Sequence, residues 1–165
     1  MPEKPRAVTR EQLETFVHLH KLSIKGHAGQ ALLSAAILDQ ELRTAILKKM
    51  RPKLANKKQE RLFDGFGPLS EFAAKIEVAY ALGQMDDDTY GKLRIIKEIR
   101  DKFAHLPKEC TFFSPEIRLL INKFQFKGKA TYPSIFGEMA ELCFNRLAEK
   151  TAESVEPAPS PDTEQ

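Results

Sequence analysis

Four groups of residues in this 165-residue chain have the types and spacing to support chemistry. The first is Asp64-Gly65-Phe66-Gly67-Pro68-Leu69-Ser70, with Lys75 and Ile76 just downstream. Glycine loops and helix N-termini present backbone N–H donors that can hold an anion. Pro68 follows the second glycine at once, and no strand precedes the turn, so this is not a dinucleotide loop; no Walker sequence occurs either. The second group is basic. Between Lys48 and Arg61, Lys48, Lys49, Arg51, Lys53, Lys57, Lys58 and Arg61 make seven of 14 residues, with Glu60 the one acid. Such a surface can neutralise several phosphates, but nothing in it promises contacts to base edges. The third group, the potential metal ligands, is poor. His18 and His20 lie two apart on a helix and diverge by about 160°, and Cys110 and Cys143 lack ligand spacing. No metal and no cofactor are expected. The fourth group centres on Arg100, on the apolar side of its helix among Leu93, Ile96 and Ala104. A half-buried guanidinium needs a partner. Asp39, in an apolar row of another helix, is the expected one, with Arg43 its local competitor at i+4. His105 stands at a helix end before Pro107, where an imidazolium is favourable.

The elements that must position these groups are helical throughout. Thr9 and Gln12 resemble a capping box opening a helix with Leu13, Phe16, Val17, His20 and Ile24 on one side. Gly26 and Gly29 are expected to end it and begin the next. From Gln30 to Met50 two rows recur at helical spacing: Ala31, Ala35, Leu38, Leu42, Ala45, Lys49, and Leu32, Ala36, Asp39, Arg43, Ile46, Met50. That pattern predicts a long helix packed on more than one side, ended by Pro52. A short helix through Phe63 follows. The Asp64–Pro68 turn comes next, with Pro68 expected as the first residue of a helix carrying Leu69, Phe72, Ala73, Ile76 and Tyr80 and ending at Gly83. Asp86, Asp87 and Asp88 supply an N-cap and acidic first turn for a helix bearing Tyr90, Leu93, Ile96, Ile99 and Phe103. Ser114-Pro115-Glu116 opens another through about Phe124, and Ser134 to about Ala152 forms the last, with Ile135, Phe136, Met139, Leu142, Cys143 and Leu147 inward. Only Phe124–Tyr132 has room for a strand, and one strand alone is unstable. The expected fold is an all-α, single-domain bundle of about six to seven helices.

Composition agrees with that class. Hydrophobic residues make up 42% and charged residues 30%, which suits a soluble globular domain. No apolar run approaches membrane-spanning length, and the N-terminus lacks the apolar core of a secretory signal. Two cysteines are too few for a disulfide framework, so the expected setting is cytoplasmic, away from membranes. Four of the 23 acids lie in Ala152–Gln165, which has no Lys or Arg, so the remainder carries 26 basic against 19 acidic residues, a net of +7. The organisation expected is a flexible N-terminus over 1–8, a helical domain over 9–153 and a disordered acidic tail over 154–165.

The first group carries a resemblance. Asp64-Gly65-x-Gly67-Pro68-Leu69, the following Lys75-Ile76 and Ala79-Tyr80-x-Leu82-Gly83 are similar to the mannitol operon repressor family. The likeness reaches back into the Gln30–Met50 helix and forward through Arg100 and His105, roughly residues 29 to 118. It implies an all-helical bacterial regulator of transcription without a DNA-reading helix-turn-helix, working through a protein partner, with self-association as a homodimer. Arg100, Asp101 and His105 also resemble the Arg-x4-His signature of HEPN domains. That likeness implies a metal-independent ribonuclease, with His105 as general acid or base and Arg100 stabilising phosphate charge. Five helical residues separate these two by about 140°, so one helix face does not present both. Non-specific nucleic-acid binding through Lys48–Arg61 is the third reading. The non-enzymatic regulator leads.

Overall fold

The computed structural model describes residues 26–51, 53–105 and 110–153. Among them are six helices: α1 (His27–Lys49), α2 (Asn56–Phe63), α3 (Phe72–Ala81), α4 (Asp87–His105), α5 (Pro115–Asn122) and α6 (Tyr132–Glu153). No strand occurs among the described residues, and Phe124–Thr131 is irregular. The readings placed on Thr9, Leu13–Ile24, His18, His20, Pro52, Pro107 and the tail from Ser154 lie outside the described residues.

Helix α1 is the spine, packing on α3, α4 and α6. Its first row is the reason. Ala31, Ala35, Leu38, Leu42 and Ala45 are all buried, and three alanines on one face let neighbouring helices approach closely. Lys49, the last of that row, is exposed. The second row is not a second buried face: Leu32 and Ala36 are exposed, Asp39 and Arg43 half-buried, and only Ile46 is fully enclosed. The row lies at the rim of the packed stripe, where a charged side chain can reach both core and water. Gly29 is likewise inside α1, because Gly26 in extended conformation already caps the helix; the Gly26 carbonyl accepts from Gln30 N at 2.9 Å.

Two bonds set α1 against α6. Near its start, Gln30 Nε2 donates to the Pro133 carbonyl at 2.9 Å; near its end, Lys48 Nζ donates to the Thr151 carbonyl at 3.3 Å. Start meets start and end meets end, so the two longest helices run parallel. The core between them and α3, α4 and α5 is a single cluster that includes Leu42, Ile76, Ile96, Ile117, Phe136 and Leu147. Phe112 joins Phe103 and Phe136, each with ring centroids 5.0 Å away. Cys143 lies in this core, where burial pushes its thiol up to about 12, so it stays protonated and unreactive.

The acidic N-terminus of α4 behaves as its sequence predicts. Asp86 Oδ1 accepts from the Thr89 backbone N–H at 2.8 Å, and Arg146 of α6 donates to Asp88 Oδ2 at 2.6 Å. Hydrogen bonding to Thr89 holds the Asp86 carboxyl below its ordinary range, with Arg146 adding to the effect. A lowered folded pKa means the cap contributes fully above the ordinary carboxylate range and loses its contribution as pH falls through the folded value. Asp86→Ala should cost about 1 kcal/mol at neutral pH. Urea unfolding of parent and variant should show that gap narrowing as the pH falls below the ordinary carboxylate range.

Candidate functional site

The Asp64–Ser70 segment is built as a rigid turn. Gly65 has φ +59°, a left-handed conformation that other residues adopt at a cost. Gly67 has no room for a side chain, since a Cβ there would stand 2.4 Å from the Leu62 carbonyl oxygen. That same carbonyl accepts from Leu69 N at 2.8 Å, which folds the segment back on the end of α2. Gly67 N donates to the Asp64 carbonyl and Ser70 N to the Gly67 carbonyl, each at 3.0 Å. The second of these turns contains Pro68. Pro68 is therefore a turn residue and not the first residue of a helix, and α3 opens four residues later at Phe72. The position after a turn's first residue suits proline's fixed φ as well as a helix start does, and buried Leu69 draws this stretch inward before the helix begins.

Side chains brace the turn from α1 and α3. Arg43 donates to both Asp64 carboxylate oxygens, at 2.7 and 3.4 Å, with its guanidinium 5.0 Å from the Phe63 ring. The Lys75 side chain is only 4% exposed. Its ammonium donates to Asp39 Oδ1 and Oδ2 at 2.8 and 2.9 Å and to the Ser70 carbonyl at 3.1 Å. All three of its donors are thereby used.

This overturns the expected Asp39–Arg100 pair. Lys75, between Phe72 and Ala79 on the buried face of α3, reaches Asp39 from below, and Arg43 turns to Asp64 instead. Arg100 is not enclosed. Its side chain keeps 28% exposure, its guanidinium lies 5.7 Å from the Phe72 ring centroid, and Nη1 is 3.2 Å from Asp101 Oδ1. Asp39 and Arg100 nevertheless line one groove of about 430 Å³, floored by Ala35 and Phe72 and bordered by Leu32 and Ser70.

The remaining expected residues are more scattered. Asp101 also binds Lys97, at 2.7 Å. His105 is the exposed last residue of α4, five positions beyond Arg100 on a regular helix, and it does not line the Arg100 groove. The structure thus gives Arg100 and Asp101 a mutual contact and leaves His105 apart. Lys48, Lys49, Arg51, Lys53, Lys57, Lys58 and Arg61 are all exposed. None of them makes a salt bridge among the described residues; Lys48 donates to the Thr151 carbonyl and lies within the field of Glu41, and the other six face solvent. No group of three or more potential metal ligands occurs among the described residues.

One residue stands apart from expectation. Phe66, at the tip of the braced turn, is fully exposed, at 109% of its reference surface. Its flanks carried the signal: a phenylalanine between two glycines in a reversing loop has no neighbouring side chain to shelter it. Lys75 was legible in the same way, as a lysine in register with Phe72, Ile76 and Ala79.

Removing one partner of an enclosed pair costs more than removing the charge that needs it. Asp39→Ala should destabilise the fold by about 3 kcal/mol, and Lys75→Met by clearly less, since Asp39, at 25% exposure, can then turn to water. Thermal unfolding of the two variants checks the order.

The family described as mannitol repressor matches residues 29–142 of the chain. No curated protein matches it significantly. Among solved structures, a chain of the X-ray structure of the MtlR–HPr complex from Escherichia coli is similar in fold. Its TM-score is 0.59, over 84% of this chain and 99% of that one, at 15% sequence identity.

Proposed function

We propose that the chain, which belongs to the mannitol repressor family, is a non-enzymatic regulator of transcription that acts through contact with another protein. The observation that carries this reading is Phe66. An exposed aromatic side chain is costly to solvate, and here the turn beneath it is fixed by two conformationally demanding glycines and by Arg43 and Lys75. Aromatic side chains held in place before binding are the usual anchors of protein interfaces, and preorganisation spares the entropy of ordering a loop.

A helix-turn-helix joins its two helices by three or four residues. The shortest connection among the described helices is the five-residue stretch 82–86 between α3 and α4. Among the described residues, no helix pair has the short connection of that motif. The similar solved structure is of an MtlR–HPr complex, and HPr of the host organism is the partner of first choice.

Isothermal titration of the chain with that HPr tests the proposal. Phe66→Ser should weaken binding about tenfold or more, the loss of a typical aromatic anchor. It should leave the melting temperature unchanged, because the side chain buries nothing in the free chain. No binding by the parent eliminates HPr as the partner; equal affinity in the variant eliminates Phe66 as the anchor.

A further inference from the structure

Away from the braced turn, a cleft of about 560 Å³ opens between the end of α5, the irregular 123–131 segment and the start of α6. Its size is that of a small-molecule site. Three aromatic rings line it: Phe113 at 53% exposure, and half-buried Phe126 and Tyr132. The Phe113 and Tyr132 rings meet nearly at right angles, 80° apart with centroids 5.8 Å apart. A flat ligand can therefore lie against the face of one ring and meet the edge of the other.

Polar groups complete the lining. Asn122 and Gln125 both reach the cleft, and neither side-chain amide makes a hydrogen bond among the described residues. Each offers a donor pair and an acceptor to the edge of a planar ring. Gln125 is also one of two described non-glycine residues with positive φ, at 53°, an unfavourable conformation of the kind that collects at ligand sites.

Charge narrows the ligand further. From Ile117 to Gly137 the chain carries Arg118, Lys123, Lys127 and Lys129 and no acid at all. Lys123 faces Glu98 at 3.7 Å. Arg118 lies over the Tyr132 ring at 5.4 Å and donates to its hydroxyl at 3.2 Å, which fixes that ring in place. Lys127 and Lys129 are exposed and pair with no acid among the described residues. The rings and free amides of the cleft suit a planar, hydrogen-bonding ligand, and the excess of basic residues in the segment favours an anionic one.

We propose that the Phe113–Phe126–Tyr132 cleft binds a nucleoside phosphate, its base stacked on an aromatic ring and read by Asn122 and Gln125, with Lys127 and Lys129, which alternate with the lining residues Phe126, Gly128 and Ala130, supplying positive charge for the phosphate. The same chemistry is offered by a free mononucleotide and by one unit of single-stranded RNA, and stacking platforms edged with cations are how single strands are held.

The experiment uses the full chain. AMP and UMP are titrated by calorimetry, and a short fluorescein-labelled oligouridylate by fluorescence anisotropy at fixed salt. Phe113→Ser and, separately, Lys127→Glu with Lys129→Glu should each weaken the bound probe about tenfold, one stacked base or a few phosphate contacts. Lys57→Glu with Lys58→Glu, on the exposed face of α2, should change affinity much less. Binding of the mononucleotides identifies the free ligand as the source; binding of the oligonucleotide alone identifies a strand. The proposal is overturned if neither probe binds at millimolar concentration, if the cleft variants bind as the parent does, or if the α2 reversal abolishes binding while the cleft variants keep it. The paired-lysine variant lies on exposed residues, so its result stands even where Phe113→Ser disturbs packing.

Discussion

The ammonium of Lys75, enclosed by its own fold, is the constraint on which the rest of the site depends. A lysine taken out of water carries a desolvation cost of several kcal/mol, repaid only when its donors are met by well-placed acceptors. Here the acceptors come from two separate pieces of chain: the Asp39 carboxylate on α1 and the Ser70 carbonyl at the exit of the turn. Neither alone uses all three donors. The arrangement therefore selects one relative placement of α1, α3 and the turn, and alternatives leave a buried cation short of partners. An apolar residue at position 75 could match the stability, but it could not single out that placement.

The consequences spread outward from this point. Fixing Ser70 fixes the exit of the turn; Arg43, one helical turn beyond Asp39 on α1, fixes its entry through Asp64. With both ends held and Gly67 pressed against the Leu62 carbonyl, Phe66 has nowhere to fold back. Its exposure follows from the bracing as well as from sequence. The same use of Asp39 leaves Arg100 without its carboxylate, so its guanidinium lies over Phe72 at the open edge of the groove. One choice of ion pair thus sets both the protruding aromatic and the half-exposed arginine.

Much of this frame was legible in the residues. Periodicity together with proline breaks and cap residues located all six described helices, and the Asp86 cap and the apolar row of α1 lie where propensity and spacing put them. What periodicity cannot do is choose between partners. It shows that Asp39 lies at the margin of an apolar stripe and that both Lys75 and Arg100 lie on inward-facing sides of their own helices. Which of them meets Asp39 depends on how far α3 and α4 stand from α1 and on the reach of each side chain. Those are tertiary quantities. Pro68 failed for a related reason: a proline is equally at home one residue into a turn and one residue into a helix, and the burial of Leu69 decided between them. Gly29 lies inside the helix rather than at its boundary because a helix tolerates an early glycine for about 1 kcal/mol when extended Gly26 already provides the cap.

The way α4 is fastened to the core bears on what Arg100 and His105 can do. Leu93, Ile96, Ile99 and Phe103 fasten the helix to the core, so its rotation is fixed by burial that half-exposed Arg100 and exposed His105 cannot outweigh. Arg100 follows directly after buried Ile99 and is thereby directed to the groove beside Phe72. His105 comes two residues after buried Phe103, and it lies on the exposed end of the helix. A phosphate held by one of them within this chain is not within the direction of the other on an undistorted helix. A shared phosphate would require a second chain to supply the missing group, whereas a contact made by Phe66 requires only that a partner present an apolar surface. The simpler demand is the one that the braced turn meets.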